Sequence, residues 1–416
     1  MADDRGESVS DRGDLLPERT SRRRRLLAWS CALVAIVLAT GAVTVYLGYR
    51  HLDANIHVRD IRGLVGAQPA DLHPGAQNIA VIGSDSRTGT NGQYGSPRVY
   101  AAGHSDTLMV VHIAASRKWA EVVSIPRDSW VHIPSCHIGN GQRSAPTDFK
   151  INEAFTLGST HGDQASGAAC TIRTLEQDTG LRINHFAVIN FAGFKDMVDA
   201  LGGVEVCTRQ PVADAKAKLR LSSGRHLLLG GQALAYVRAR YSLGDGSDLE
   251  RITRQQAFMS SLADRARSEL YNPIAIYRFL DAATKSVTID SALGGIRGLY
   301  GLASRLRQMS TNKLNFITLP TYPRSLIDPA DTANVMWQQP QTAEIFSSLR
   351  RDVPWRRYQA ARQAAQRAAQ QATQQAAPTP GTPSASATSS AGPLNAASPE
   401  PSPLAAGSTA NQNICT

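Results

Sequence analysis

The chain has 416 residues, 42% of them apolar, 19% charged, with a net charge of +10. That length allows one large domain or two small ones, and the apolar share is ordinary for a globular core. Much of the positive surplus sits at the ends, at Arg22 to Arg25 and at Arg350, Arg351, Arg356, Arg357, Arg362 and Arg367, which suits membrane topology and anionic surfaces better than one nucleic-acid groove.

The stretch 1–25 is polar and charged, and its composition predicts a disordered tail. Leu26 to Leu47 is an uncharged apolar run, long enough for a helix to cross a bilayer. The arginines before it, with little positive charge after it, put the N-terminus in the cytoplasm. A cleaved signal peptide is the rival reading, but its apolar region would be shorter. The expectation is a transmembrane anchor over 26–48 and an extracytoplasmic remainder. Cys136, Cys170 and Cys207 fall in that remainder, where an oxidising environment permits a disulfide. Of the three pairings, Cys170–Cys207 is favoured, because one sits on an expected helix and the other ends an expected strand. Their spacing does not suit structural zinc.

Residues 49–77 read as a linker with turn signals. The folded domain is expected over 78–347. Asn78 to Gly83 (NIAVIG), Thr107 to Ile113 and Ala120 to Ile125 read as strands. Ala165 to Thr179 reads as a helix ending at Gly180, His185 to Phe191 as a strand, and Ala192 to Leu201 as a helix. Val204 to Cys207 is a short strand. Further helices are expected at Pro273 to Thr284 and Ser291 to Met309, with a strand at Leu314 to Leu319. This alternation predicts an α/β fold, a layered α/β/α domain with a mixed central sheet. Beyond it, 348–377 reads as an Ala/Gln/Arg-rich helix and 378–416 as a disordered Pro/Ser/Ala-rich tail.

The chemistry gathers at strand ends. Asp85 and Arg87 follow the first strand, Asp106 opens the next, and Arg127 follows the third, where Pro126 forces the chain out of the sheet. Ligands of α/β sheets bind beyond the carboxyl ends of strands. Two carboxylates from adjacent strand ends suit Mg2+, which takes its remaining ligands from water and substrate phosphate. Lys150 precedes a helix start, where a cation faces an unfavourable dipole unless an anion is near. Tyr236 to Gln256 (YVRARYSLGDGSDLERITRQQ) carries the most arginine. If its first residues are extended, Tyr236, Arg238 and Arg240 share one face. Arg251 and Arg254 then share a face of the following helix. Planar guanidinium forks grip phosphate oxygens, so converging arginines suit a pyrophosphate. The alternative is a salt-bridged turn with Asp245, Asp248 and Glu250.

The segments IAVIGSDSR, HSDTLMVVHI, VVSIPRDSWVHIP, KINEAF, GLRINHFAVINFAGFKDMVDALGGVEVC and ALAYVRARYSLGDGSDLERITRQQ, in that order, resemble the LytR-CpsA-Psr family over 78–267. The resemblance implies an Mg2+-assisted phosphotransferase that moves a glycopolymer from a polyprenyl-pyrophosphate carrier to peptidoglycan, at the 6-hydroxyl of N-acetylmuramic acid. It implies acidic metal or base positions at Asp85 and Asp106, and phosphate-binding arginines at Arg87, Arg127, Arg238, Arg240 and Arg251, with Arg254 in the RQQ signature. The sequence departs from the family at His104-Ser105-Asp106, where Arg-Ser-Asp is frequent, leaving Arg98 as a substitute. Residues 135–148 look inserted and would reshape the acceptor side. The partners implied are the lipid-linked glycopolymer, peptidoglycan and the membrane, and no nucleic acid. A hydrolase of polyprenyl pyrophosphates would use the same residues. A membrane-anchored transcriptional attenuator would need its folded part in the cytoplasm, against the charge pattern.

Overall fold

The computed structural model describes residues 18–85, 103–208, 210–239, 248–269, 272–307, 309, 313–376 and 408–409, except the side chains of 18–23, 248–253, 303, 305–307, 372–376 and 408–409. Residues 1–17, 377–407 and 410–416 of the expected tails, Arg87, Arg98, Arg240, the turn at 244–247 and the side chain of Arg251 lie outside the described residues, while residues 18–25, expected to be disordered, are helical, continuing the apolar run backwards through four arginines of good helix propensity. The chain divides into two units, 1–54 and 55–416. The first unit holds nearly all of helix α1 (Glu18–Asn55). From Arg24 this helix is long and apolar enough to cross a membrane.

The second unit runs β1 (His57–Arg59), α2 (Arg62–Val65), β2 (Gln77–Ser84), β3 (Ser105–Ile113), β4 (Ala120–Ile125), β5 (Trp130–Ile133), β6 (His137–Gly139), β7 (Gln142–Arg143), β8 (Thr147–Lys150), α3 (Asn152–Ser159), α4 (Gln164–Thr179), β9 (His185–Asn190), α5 (Phe191–Ala200), β10 (Val204–Thr208), β11 (Val212–Asp214), β12 (Leu219–Leu221), β13 (Gly224–Leu228), α6 (Gly230–Arg238), α7 (Asp248–Ser268), α8 (Pro273–Ser286), β14 (Val287–Asp290), α9 (Gly295–Arg307), β15 (Leu314–Thr318), β16 (Thr321–Pro323), β17 (Val335–Trp337), α10 (Gln341–Arg350), α11 (Trp355–Ala376) and β18 (Ser408–Thr409). One mixed sheet takes the order β1-β14-β9-β2-β3-β4-β15-β18. β2 is parallel to β9 and β4 to β15, while β3 is antiparallel to β2 and β4. The carboxyl ends of β2, β4, β9 and β15 therefore emerge at one rim, where β3 begins.

Period-two alternation sorts the two faces of the sheet. Ala80 and Ile82 join Leu108, Val110, Val123 and Ile125 beneath a layer that includes Val65, Phe155, Ile172, Phe346 and Trp355. Ile79 and Val81 point to the opposite face, with Met109, Val111, Val122 and Phe316, where Leu302 of α9 and Met259 of α7 pack. Phe155, Phe186 and Phe346 are fully buried, and each such side chain contributes about 1.5–3 kcal/mol relative to exposure. A third cluster, including Val198, Val204, Leu228, Tyr236 and Phe258, joins α5, α6 and α7 to β10 and β13.

α4 begins and ends where its sequence says: the Asp163 carboxylate accepts the Ser166 N–H, and Gly180 closes the helix. The segment 49–77 contributes more than a tether. β1 pairs in parallel with β14, and Ile61 and Val65 enter the core. The helix expected from Ser291 to Met309 is broken at Gly294, so a short 3-10 turn precedes α9. Tyr236 and Arg238 are not extended. They end α6, because Ala233 and Tyr236 are held in the α5–α7 cluster and tertiary packing overrides the β-favouring Tyr-Val pair. The disulfide is Cys136–Cys170, Cα–Cα 5.3 Å, and not Cys170–Cys207. The inserted strand β6 lies against α3 and α4, which brings Cys136 to the helix. Cys207 is disulfide-bonded as well.

Candidate active site at the sheet rim

Ser84, the last residue of β2, pairs with Ser105 of β3 and Asn190 of β9. Asp85 comes next. Its backbone N–H donates to the His104 carbonyl at 3.0 Å, and its carboxylate accepts the His104 N–H. A register irregularity between Gly83 and Ser84 puts one extra residue, Asp106, into β3. Such a bulge re-aims a side chain at the edge of a ladder. The Asp106 carboxylate accepts a hydrogen bond from Arg127 Nη1 at 2.5 Å. Arg127 reaches it because Pro126 ends β4, and a turn closes with Ser129 N–H and Oγ on the Pro126 carbonyl at 3.1 and 2.6 Å. The Arg127 and Asp106 side chains are 19% and 21% exposed, open enough to meet a ligand and shielded enough to interact strongly.

Arg238 reaches the same rim by another route. Its guanidinium stacks 4.5 Å over the ring of Phe191, the residue after the end of β9. α7 then crosses the rim. Arg254 Nη2 donates to the Ala239 carbonyl at 2.7 Å, and Gln255 Nε2 to the Val237 carbonyl at 3.0 Å. Gln256 Nε2 donates to Ser124 Oγ at 3.1 Å and Thr318 Oγ1 at 3.0 Å. The RQQ run thus ties α7 to the end of α6 and to the ends of β4 and β15. Arg254 is buried, and one of its nitrogens holds backbone. Gln255 also lines a narrow cleft with Asp106, Thr107, Ser124, Ile125 and Arg127. Sequence reasoning passed over both glutamines. The signal was three adjacent long polar side chains in one helix turn, each needing a different partner. Burial pushes the Tyr236 phenol up, with the Arg254 charge opposing, so it stays neutral beside this helix junction.

Lys150 stands one ribbon away. It pairs across to Trp130 in the antiparallel β5–β8 ribbon, with its ammonium 5.9 Å from the Phe149 ring. The chain then returns to the rim through the Asn152 N–H, which donates to the Arg127 carbonyl at 3.3 Å. His104, where the family pattern frequently has arginine, places Nδ1 2.7 Å from Thr156 Oγ1. His112 is fully buried between Asn78 and Asp352, as a structural histidine. Among the described residues, no cluster of three or more His, Cys, Asp or Glu side chains could by itself hold a metal. Asp85 and Asp106 offer the one or two carboxylates that suit Mg2+ when phosphate and water complete its shell.

Residues 55–351 match the LytR_cpsA_psr family. The chain belongs to the LytR-CpsA-Psr family. It is 32% identical over 343 residues to the probable cell wall biosynthesis protein LcpB of Corynebacterium glutamicum, covering 79% of this chain and 74% of that protein. It is 28% identical over 312 residues to TagT of Bacillus subtilis, a polyisoprenyl-teichoic acid–peptidoglycan teichoic acid transferase, covering 71% of this chain and 88% of the relative. The solved LytR-Csp2A-Psr enzyme from Actinomyces oris superposes with a TM-score of 0.51 over 71% of this chain and 95% of its own length, at 22% identity. That last likeness is one of fold. The family resemblance carried by the six motifs is therefore confirmed, and Asp85, Asp106, Arg127 and Arg238 from four of those motifs lie at the rim described above.

Proposed function

We propose that this chain is a membrane-anchored phosphotransferase that moves a glycopolymer from a polyprenyl-pyrophosphate carrier to the 6-hydroxyl of N-acetylmuramic acid in peptidoglycan. The observation that carries this reading is the Arg127–Asp106 pair, at the same rim as Asp85. Arg238, at the neighbouring end of β9, supports it. In this reading Arg127 and Arg238, with Arg87, Arg240 and Arg251 from the same motifs, hold the two linked phosphates. Asp106 fixes the direction of Arg127. Asp85 accepts the proton of the attacking sugar hydroxyl. The hydroxyl oxygen bonds to the phosphorus that carries the glycopolymer, the bridging P–O bond breaks, and polyprenyl phosphate leaves. Asp85 and Asp106 would hold Mg2+, which supplies charge neutralisation on the phosphates.

The sheet face bearing Val81, Val111 and Leu314, only partly buried against Leu302 and Met259, is an apolar place for the polyprenyl chain. α1 serves as the anchor, and the arginines in its first turns, ahead of the apolar run, set the N-terminus in the cytoplasm. The Cys136–Cys170 disulfide accords with a catalytic unit on the oxidising side. The deciding experiment incubates the full chain in detergent with a polyprenyl-pyrophosphate-linked glycopolymer, peptidoglycan fragments and Mg2+. Mass spectrometry should find polymer joined to muramic acid through a phosphodiester. Free polymer with no joined product would make the protein a hydrolase instead.

A further inference from the structure

The β5–β8 ribbon leaves the rim immediately after Arg127, and it carries aromatic side chains that the transfer chemistry does not use. Trp130 and Phe149 stand with ring centroids 5.5 Å apart, tilted by 50°. Phe149 is 39% exposed, an unusual place for a phenyl ring one residue from a lysine. The Trp130 ring is pinned by Arg324, whose guanidinium lies 4.1 Å from its centroid. Asp328 and Asp331 hold Arg324 in turn, at 2.9 and 2.6 Å. The segment carrying them is fastened beside the rim, because the Val335 N–H donates to the Asp128 carbonyl at 3.0 Å. Trp130 is therefore preorganised from a second part of the chain. At the foot of the ribbon is Asn152. It is 4% exposed, and among the described residues its Oδ1 accepts no hydrogen bond. A buried acceptor without a donor is costly, of order 1–3 kcal/mol.

We infer that this ribbon is the acceptor subsite, a ledge on which a peptidoglycan glycan strand lies while its 6-hydroxyl enters the rim. The inference rests on the transferase reading above and deepens it. A saccharide ring presents polarised C–H bonds to an aromatic face and hydroxyls at its edge. Phe149 and the edge of Trp130 meet those C–H bonds. Lys150 selects the strand rather than an uncharged polymer. Among the described residues its ammonium forms no ion pair, and peptidoglycan carries carboxylates on its stem peptides. The neighbouring acid, Asp148, is already paired with His132 at 2.7 Å. The inserted hairpin β6–β7 carries a further cation, Arg143, whose Nη1 donates to His137 Nε2 at 2.6 Å.

The test is direct binding to the full chain, followed by tryptophan fluorescence and calorimetry, with a muramyl tetrasaccharide bearing stem peptides as the probe. Phe149→Ala should weaken binding roughly tenfold, and Phe149→Trp should restore it. Lys150→Met should weaken binding of the peptide-bearing probe and leave chitotetraose, which lacks carboxylates, unaffected. Undiminished binding by Phe149→Ala, or no binding by the native chain, would overturn the inference. So would an equal loss of affinity for a polyprenyl-pyrophosphate-linked sugar, which would give the ledge to the donor. If Phe149→Ala weakens probe binding but the native chain transfers nothing, the ledge stands and the transferase reading fails.

Discussion

Arg127 and Asp106 illustrate what one ion pair does at a strand end. The guanidinium is fixed by its carboxylate before any substrate arrives, so its charge needs no reorganisation when the phosphate comes. Arg127→Ala should lower transfer by about 10²–10³-fold, the usual cost of removing one preorganised donor. The melting temperature should stay close to native, because the side chain lies at the rim and not in a core cluster. Near-native turnover with an unchanged fold would remove Arg127 from the chemistry. The rim position of Arg127 was legible in the sequence because Pro126 cannot continue a ladder and a strand had to end there, but its pairing with Asp106 was not, because it depends on the β3 bulge. Arg238 was legible as a residue but not as a geometry: its approach over Phe191 depends on α6 being a helix, and the Tyr-Val dipeptide before it favours a strand. Glu121 shows a residue the sequence hid entirely. It sits inside β4 with no exposure, accepting the Trp355 N–H at 2.9 Å. Burial pushes its carboxyl up from 4.5 to about 7, against hydrogen bonds from Trp355 and Asn315. Between those two values the folded chain binds more protons than the unfolded one, so stability falls as pH rises through the window. Glu121→Gln removes that slope. Relative to native, the variant should gain up to about 3 kcal/mol of unfolding free energy across the window, measured by urea titration at a series of pH values. Parallel pH profiles would show that Glu121 ionises normally in the folded chain.

At the scale of elements, the inserted segment 135–148 is the part most dependent on a covalent tie. β6 and β7 are three and two residues long, too short to hold themselves in water. Cys136–Cys170 closes a loop of sequence separation 34 and fastens this hairpin to α4. Replacing both cysteines by alanine should cost about 2–4 kcal/mol in denaturant unfolding under oxidising conditions. The same change should raise the acceptor KM more than the donor KM if the hairpin borders the glycan. An unchanged unfolding midpoint would mean that packing alone holds the insertion. The long elements were easy to read: α4 has a capping aspartate, a closing glycine and an apolar stripe between them. The pairing of its cysteine was not, because a disulfide partner is set by how an insertion folds back, and no periodicity records that.

At the scale of the molecule, the mixed sheet was legible where strands alternate or run apolar, as in β2, β3, β4 and β9. The edges were not. β1 is three exposed residues, His57–Arg59, with no pattern to mark it, yet it pairs in register with β14. This has a practical consequence for anyone preparing the soluble half of the protein. Trimming the gene so that translation begins at Asn78, the first residue of the obvious apolar run, would strip β14 of its outer neighbour and bare a row of amides for sticking to other copies. Beginning at Asn55 keeps the hem sewn, and size-exclusion profiles of the two preparations should differ accordingly: one peak for the longer, clumping for the shorter.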